Sequence, residues 1–291
     1  MPRVVVPYAE LHCHTNFSFL DGASHPEDLV SQAVELGYRA LAVTDHNGFY
    51  GAVRFSTAAR EAGLPAVYGV EIGLSRELRA TSYEQDPIDA AENRDRLVAR
   101  GSVLEAAPGT ARRRGRTKRM HGTKPINPRP TDHLVLLAGS PAGYQAITRM
   151  VTVAQFRGEK DQPVFLWDDL AEVAKVTGVS ALSGCRHGAV ARAAARSDLA
   201  EAMTAAIRMR DLFGERFYLE MWHHGMPEDD LRNDLVWEVG GRLNLPVVAT
   251  NNVHYHRATE SDLSEVLAAI SGRRSLDQAD GFRPATDERY L

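Results

Sequence analysis

Two histidines two residues apart, His12 and His14, are the side chains near the start of the sequence best suited to bind a metal ion. They follow a short apolar run that begins near Val4 and is typical of a β-strand. In an extended segment, residues i and i+2 point to the same face, so both imidazoles converge on one place. The pair predicts a metal-binding site, although a strand end with two surface histidines has the same spacing.

More residues of metal-ligating types follow along the chain. The eight candidate ligands are His12, His14, Asp21, His46, Glu71, His133, Cys185 and His254. Imidazole, carboxylate and one thiolate together favour zinc, with manganese or iron as alternatives. Because one site uses three or four protein ligands, the set indicates two or three ions that share Glu71 as a bridging carboxylate. Clustered ions lower the pKa of bound water and stabilise the oxygens of a phosphoryl displacement, so phosphate ester hydrolysis is the predicted chemistry.

Short β-type runs alternate with amphipathic helical stretches, which is the pattern of βα units. After the first run, strands are predicted at residues 39–44, 65–72, 132–138, 179–183, 217–222 and 246–250, and helices near residues 24–36, 52–63, 144–156, 199–213, 228–243 and 261–270. This number of units favours a closed barrel over an open doubly wound sheet. Most candidate ligands lie at or just past strand ends, where α/β barrels build active sites. His133 is the exception, because it lies at the start of its strand.

The composition is that of a globular protein, with 44% hydrophobic and 25% charged residues. A formal net charge of −4 argues against nucleic-acid binding through overall basicity, so phosphate contacts must come from local patches or metal ions. A membrane span of about 20 apolar residues and a signal peptide are both missing, so we expect a cytoplasmic protein with no membrane partner. Two cysteines, Cys13 and Cys185, are too few for a disulfide framework.

A basic segment at about residues 107–130 interrupts the βα pattern, since it has no hydrophobic period and many Arg and Lys residues. It is either a disordered, solvated insertion or an electrostatic arm for phosphate backbones. Because it follows the strand that carries Glu71, we expect it near the mouth of the proposed site.

Longer motifs resemble the polymerase and histidinol phosphatase (PHP) superfamily. They are Leu11-His12-Cys13-His14, Asp21, Val43-Thr44-Asp45-His46, Gly69-Val70-Glu71, His133, Ser183-Gly184-Cys185 and Thr250-Asn251-Asn252-Val253-His254-Tyr255. Within the superfamily, residues 8–14 and 17–23 resemble the opening of bacterial C-family DNA polymerases of the replicative alpha-subunit type. Residues 44–48, 50–52 and 247–252 are most similar to the error-prone, damage-inducible branch.

The resemblance implies a distorted (β/α)7 barrel of TIM-like type over residues 1–272, with a trinuclear metal site. It places His12, His14 and Glu71 on one ion, Glu71, His133 and Cys185 on the second, and Asp21, His46 and His254 on the third. Asp45 would orient its neighbour His46 from outside the ligand shell. The residues to which it assigns a catalytic role are His12, His14, Glu71 and Asp45.

Asn252 departs from the family pattern, which has an aspartate two residues before the last histidine. A neutral amide is a poorer ligand for a cation, so we expect weaker metal occupancy or hydrolysis. Four further histidines are secondary candidates: His187, two residues after Cys185, the pair His223 and His224 at a strand end, and His256. Each of the four could equally be an ordinary loop or surface histidine with no role in metal binding.

The function implied by the resemblance is that of the N-terminal PHP domain of an error-prone DNA polymerase, a nucleotidyltransferase of damage-induced mutagenesis and translesion synthesis. Residues 273–291 would be a linker towards a polymerase palm outside this chain. Expected partners are DNA, the remainder of the polymerase and, by family resemblance, a sliding clamp and other mutagenesis factors. The chain itself would be at most a metal-dependent 3′–5′ exonuclease or phosphoesterase. The alternatives are an inactive, metal-stabilised structural domain and a free-standing phosphoesterase of histidinol-phosphatase type.

Overall fold

A computed structural model describes residues 7–75, 131–160, 162–278 and 286–291. Seven strands form one sheet in chain order: β1 (Ala9–Glu10), β2 (Ala40–Val43), β3 (Ala66–Ser75), β4 (Thr131–Ala138), β5 (Val179–Leu182), β6 (Phe217–Met221) and β7 (Val247–Ala249). The basic insertion predicted at residues 107–130 lies outside the described residues. Among the helices that are described, none has the length and apolar character needed to cross a membrane.

The sheet closes on itself just beyond its first and last strands. Cys13, which follows β1, forms a parallel bridge with Val253, which follows β7. In this bridge His14 N donates to Val253 O at 2.8 Å, and Val253 N donates to His12 O at 2.9 Å. The predicted seven-stranded, TIM-like barrel is therefore confirmed, and its closing contact lies beside the first two candidate ligands.

One strand runs against the expected parallel order. β4 pairs antiparallel with both of its neighbours, with Val135 opposite Glu71 of β3 and Leu182 of β5, whereas the other strand pairs are parallel. Its start therefore lies at the edge of the barrel where the parallel strands end. This reversal distorts the barrel, and it brings His133 to the same face as the other candidates.

Helices pack around the sheet in the described part of the chain. They are α1 (Pro26–Glu35), α2 (Ala52–Ala62), α3 (Pro141–Arg157), α4 (Trp167–Ala174), α5 (Ala189–Ala194), α6 (Leu199–Phe213), α7 (Pro227–Leu243) and α8 (Ser261–Ser271). The sequence pattern did not predict α4 and α5. Both are too short for apolar residues to recur over several turns, and four of the six residues of α5 are buried.

In the structure α1 starts two residues after residue 24, where the sequence predicts the helix to begin. The helix begins at Pro26, a residue favoured in the first turn, and its N-cap is His25, which makes no side-chain cap. The hydroxyl of Ser24 instead accepts a hydrogen bond from His256 N at 2.7 Å. Ser24 thus ties the start of α1 to the segment after β7.

Most of the core lies between the sheet and the helices. One large cluster joins β3–β6 to α3–α7, and a smaller one joins α1, α2 and β2 to Leu291, which is 9% exposed. A parallel bridge between Tyr255 and Tyr290 holds the same terminal segment against the barrel. Residues 286–291 are therefore part of the folded unit, while the role of residues 273–291 as a linker stays a prediction.

Candidate metal centre

Glu71 of β3 lies at the centre of the predicted site and is 1% exposed. Four imidazoles surround its carboxylate: His46 Nδ1 at 2.9 Å, His133 Nδ1 at 3.1 Å, His14 Nε2 at 3.5 Å and His12 Nε2 at 3.6 Å. Neither carboxylate oxygen has a hydrogen-bond partner of acceptable geometry. A buried carboxylate without hydrogen bonds is costly, so the arrangement suits a cation between these groups.

The candidate ligands form three overlapping groups whose ligand atoms lie within 4.8 Å of one another. They are His12, His14 and Glu71; His14, Asp21 and His46; and His46, Glu71 and His133. Imidazole nitrogens and carboxylate oxygens at this spacing are the ligands of clustered divalent ions. The residues around Glu71 therefore fit a metal centre of more than one ion.

The electrostatics of the site favour the ligating forms of two central groups. Burial alone would raise the pKa of the Glu71 carboxyl group, but His133 and His46 hold it well below its usual range. Burial and the neighbouring His46 and His254 lower the pKa of His14 well below its usual value. Burial also disfavours a charge on His46, but the carboxylates of Glu71 and Asp21 raise its pKa to about 10. Metal binding at His46 would therefore release a proton.

Cys185 approaches the centre from the loop after β5. Its Sγ lies 3.3 Å from His133 Nδ1, and burial raises the pKa of the thiol well above its usual value. The preceding Gly184 has φ +83°, and a Cβ there would lie 2.4 Å from His133 O, so only glycine fits this turn. The motif Ser183-Gly184-Cys185 thus places the thiol beside His133, although Cys185 belongs to none of the three groups.

Two buried carboxylates orient His12, and neither was predicted from the sequence. Glu220 Oε1 lies 2.6 Å from His12 Nδ1 and accepts from Thr250 Oγ1 at 2.6 Å. Glu10 accepts from His12 N at 2.7 Å. A carboxylate on the second ring nitrogen fixes the orientation of a ligating histidine. One feature of the sequence could have revealed Glu220: it is an acidic residue inside an otherwise apolar strand, and a buried carboxylate needs a partner.

Asp45 acts on the site through Ser18. Its Oδ1 accepts from Thr15 N at 2.7 Å and from Ser18 Oγ at 2.8 Å. Ser18 Oγ lies 3.1 Å from His14 Nδ1 and accepts from His46 N at 3.1 Å. Asp45 is therefore placed to orient two candidate ligands, His14 and His46, where the sequence predicted an effect on His46 alone.

The third predicted ligand set is only partly assembled. Asp21 Oδ2 lies 2.8 Å from His46 Nε2 and 3.2 Å from His254 Nδ1. His254 Nε2, however, contacts the guanidinium of Arg289 and lies 3.3 Å from Asn252 Oδ1. Burial, and then the charge of Arg289, lowers the pKa of His254 to about 4. His254 belongs to none of the three groups, whereas Asp21 and His46 form one of them together with His14. The assignment of His254 to a third ion stays a prediction.

The secondary histidine candidates lie mainly outside the centre. His187 is exposed, and its ring centroid lies 5.1 Å from that of His133. His223 contacts an acidic side chain of α7, His224 a backbone carbonyl, and His256 an acidic side chain near α8. Of the four, only His187 adjoins a candidate ligand in the ring contacts described.

A basic cavity of about 190 Å³ opens beside Asn252. Its lining includes three arginines, namely Arg186, Arg232 and Arg289. Arg232 is buried, stacks on the ring of Trp222 at 4.0 Å and donates to an acidic residue of α7. The lining also includes two acidic residues, Glu228 and Asp229, and Asp229 pairs with Arg232, so Arg186 and Arg289 are the cations of the cavity outside that pair.

Comparisons with known proteins agree with the geometry around Glu71. The chain is 41% identical over 294 residues to an error-prone DNA polymerase of Nocardia farcinica, an alignment that covers 96% of this chain and 24% of that protein. It is 32% identical over 291 residues to the DNA polymerase III subunit alpha of Thermus aquaticus, covering 98% of this chain and 20% of that protein.

An amidohydrolase of Chromobacterium violaceum has a solved structure that matches 85% of this chain and 88% of its own, at 15% identity and a TM-score of 0.42. The chain spans between a fifth and a quarter of the length of the two polymerase relatives. The model of the PHP domain matches residues 10–224, a range that contains seven of the eight candidate ligands and the whole centre around Glu71. The resemblance seen in the sequence is thereby confirmed, and the chain belongs to the PHP domain family.

Proposed function

We propose that this chain is the PHP domain of an error-prone DNA polymerase and carries a metal-dependent phosphoesterase site of 3′–5′ exonuclease type. The observation that carries the proposal is the buried Glu71 carboxylate, which has four imidazoles within 3.6 Å and no hydrogen bond. In this role its partners are DNA and the remainder of the polymerase. A sliding clamp and the other factors of damage-induced mutagenesis and translesion synthesis are part of the same proposal.

The ligands proposed around Glu71 are His12, His14, His46 and His133, with Cys185 at the edge beside His133. Divalent ions bound there would supply Lewis-acid stabilisation of phosphate oxygens and activation of water, with zinc the first choice and manganese or iron as alternatives. The protein's own contribution is positioning.

Glu220 fixes the ring of His12, and Asp45 fixes that of His14 through Ser18. Arg186 at the nearby cavity offers a donor to a phosphate group of the nucleic acid. The candidate site thus combines an oriented ligand cluster with a phosphate-binding side chain at its mouth.

The proposal is tested with a primer labelled at its 5′ end and annealed to a template. Protein loaded with zinc, and separately with manganese, is expected to shorten the primer by single nucleotides from its 3′ end. Glu71→Gln should abolish the shortening, because the central carboxylate loses its charge. Glu172→Gln is the matched control, since Glu172 is exposed on α4 and pairs only with Lys175.

Two outcomes would contradict the proposal. Protein with bound metal that leaves the primer intact lacks the proposed exonuclease. Protein that cleaves small phosphomonoesters but ignores DNA is a phosphoesterase of histidinol-phosphatase type. As a check on purity, equal primer shortening by the wild type and by Glu71→Gln would show that the activity comes from a contaminant.

A second candidate function is a metal-stabilised structural domain that supports the polymerase without chemistry. The contact of Arg289 with His254 and the neutral Asn252 favour it, because both weaken one ligand set. Metal that binds and raises the melting temperature without primer shortening is its expected signature. Shortening that appears only in Asn252→Asp would show that the lost carboxylate is the cause.

A further inference from the structure

The residues of the candidate metal centre are unequally exposed to solvent. The side chains of His14 and Glu71 are both 1% exposed. Those of Asp21, His46 and His133 are 35%, 28% and 23% exposed. A substrate must therefore approach the centre from the side on which Asp21, His46 and His133 lie.

A tight turn between β1 and α1 places an aromatic ring beside this open side. Asp21 N and Gly22 N both donate to Ser18 O, at 3.0 Å and 2.9 Å, so Phe19 and Leu20 are the central residues of the turn. Phe19 is 83% exposed. The turn thus holds the ring of Phe19 in solvent, two residues before the candidate ligand Asp21.

Close contacts on both sides of the turn fix its backbone. Ser18 is buried, and a Cβ on Gly22 would lie 2.0 Å from Thr15 O. Leu20 has φ +62°, a left-handed conformation that is strained for a leucine. Such strain persists where the surrounding structure imposes it, and it is concentrated at functional sites. The exposure of Phe19 is therefore imposed by the fold around the metal centre.

We propose that Phe19 is a substrate-binding residue whose ring stacks on a nucleobase next to the phosphodiester held at the metal centre. The inference rests on the proposed function in taking DNA as the substrate. Two residues span at most about 7 Å of chain, so a nucleotide whose base lies on the ring keeps its phosphate group close to Asp21.

Stacking also defines the class of substrate. Every base has an aromatic face, so a ring such as that of Phe19 binds single strands with little regard to sequence. A base inside a duplex is already stacked on its neighbours and must leave the stack before it reaches a protein side chain. The preferred ligand of Phe19 is therefore an unpaired strand end.

A protein segment is the other class of partner that an exposed aromatic ring can bind. The position of Phe19 favours the nucleobase, because a protein packed on this ring would cover the open side of the centre. A nucleobase instead brings its own phosphate group towards the candidate ligands.

The test is the affinity of the zinc-loaded protein for a short thymidine strand with hydrolysis-resistant phosphorothioate linkages, measured by fluorescence anisotropy. Phe19→Ala is expected to weaken binding about 5- to 100-fold, which corresponds to the loss of one stacked base. Phe19→Leu, which keeps an apolar side chain without a ring, should weaken it as well, whereas Phe19→Trp should retain the affinity. Trp237→Ala is the matched control, since Trp237 is an exposed aromatic residue of α7, outside the candidate site.

An unchanged affinity in Phe19→Ala, or full affinity in Phe19→Leu, would overturn the inference and leave the ring as a contact for a protein. If Phe19→Ala does not melt cooperatively, a strand that ends in 2-aminopurine decides with the wild type. The fluorescence of this base falls when it stacks, so binding without a fall in fluorescence refutes the inference. A chain that binds the strand through Phe19 but leaves primers intact contradicts the proposed exonuclease and not this inference. Primer shortening together with equal affinities in the wild type and Phe19→Ala contradicts this inference and not the exonuclease.

Discussion

Glu71 and its neighbours show how a buried charge is accommodated in this domain. The carboxylate lies between four imidazoles, and a further carboxylate, Glu220, holds the far side of His12 at 2.6 Å. Both carboxylates are thus next to imidazoles, which can either carry the opposite charge or ligate the same ion. The strength of the centre therefore depends on side chains that touch no metal as well as on those that do.

Glu220→Gln is expected to weaken metal binding about 10- to 100-fold, because the amide loses the charge that makes His12 a strong ligand. Competition with a metal indicator dye measures the change. Glu238→Gln, at an exposed position of α7, should leave the affinity unchanged. Equal affinity in the two variants would mean that Glu220 has no influence on the centre.

His12→Ala should lower both metal content and thermal stability. The change leaves the buried Glu220 without its histidine partner and removes one of the four imidazoles around Glu71, and breaking a buried pair costs about 3–5 kcal/mol. Metal analysis and calorimetry check the two effects. The exposed His223 provides the control, since its imidazole pairs with a surface carboxylate and accepts from Gly225 N, away from the residues around Glu71. A melting temperature equal to that of the wild type would contradict the expectation.

The elements that carry the ligands could be predicted in part. Strands with several apolar residues in a row, such as β3 and β4, were predicted from the sequence, although β3 continues to Ser75, four residues beyond Glu71. The direction of β4 could not be found, because hydrophobic alternation is the same in both directions along a strand. The role of Glu220 was equally hidden, since its partner His12 lies 208 positions away. The eight-residue α4 and the six-residue α5 give too short a periodic signal.

The close approach of β3 and β4 can be tested at Gly69. A Cβ there would lie 2.5 Å from the carbonyl oxygen of Leu136, so Gly69→Ala must shift one strand and is expected to cost about 1–3 kcal/mol. Gly241→Ala is the matched control in α7, where a Cβ meets nothing within 4 Å. It should stabilise the helix by up to about 1 kcal/mol. Denaturant unfolding measures both, and equal effects would refute the packing argument.

At the scale of the whole molecule, the candidate metal centre joins the first four strands of the sheet. His12 and His14 follow β1, His46 follows β2, Glu71 lies in β3, and His133 is the third residue of β4. An ion bound to them links elements that otherwise meet through short strand pairs. Since the ligands converge only in the folded state, metal binding adds to the free energy of unfolding.

Removal of metal by a chelator is therefore expected to lower the melting temperature. At a free ion concentration about 1,000 times the dissociation constant, one ion contributes about 4 kcal/mol. Scanning calorimetry before and after dialysis against chelator measures the shift, and added zinc should reverse it. Identical melting curves with and without chelator would show that the centre does not stabilise the fold.

The bridge that closes the barrel also sets an order of events during synthesis. Glu10 accepts a hydrogen bond from the backbone of Asn251, 241 positions later, and the strand-end bridge of Cys13 with Val253 lies beside it. During synthesis, one edge of β1, the strand that precedes His12 and His14, stays unpaired until β7 has left the ribosome. Contacts of such long range slow folding. The nascent domain therefore has a period in which the ligands around Glu71 are already synthesised while one edge of β1 is still exposed.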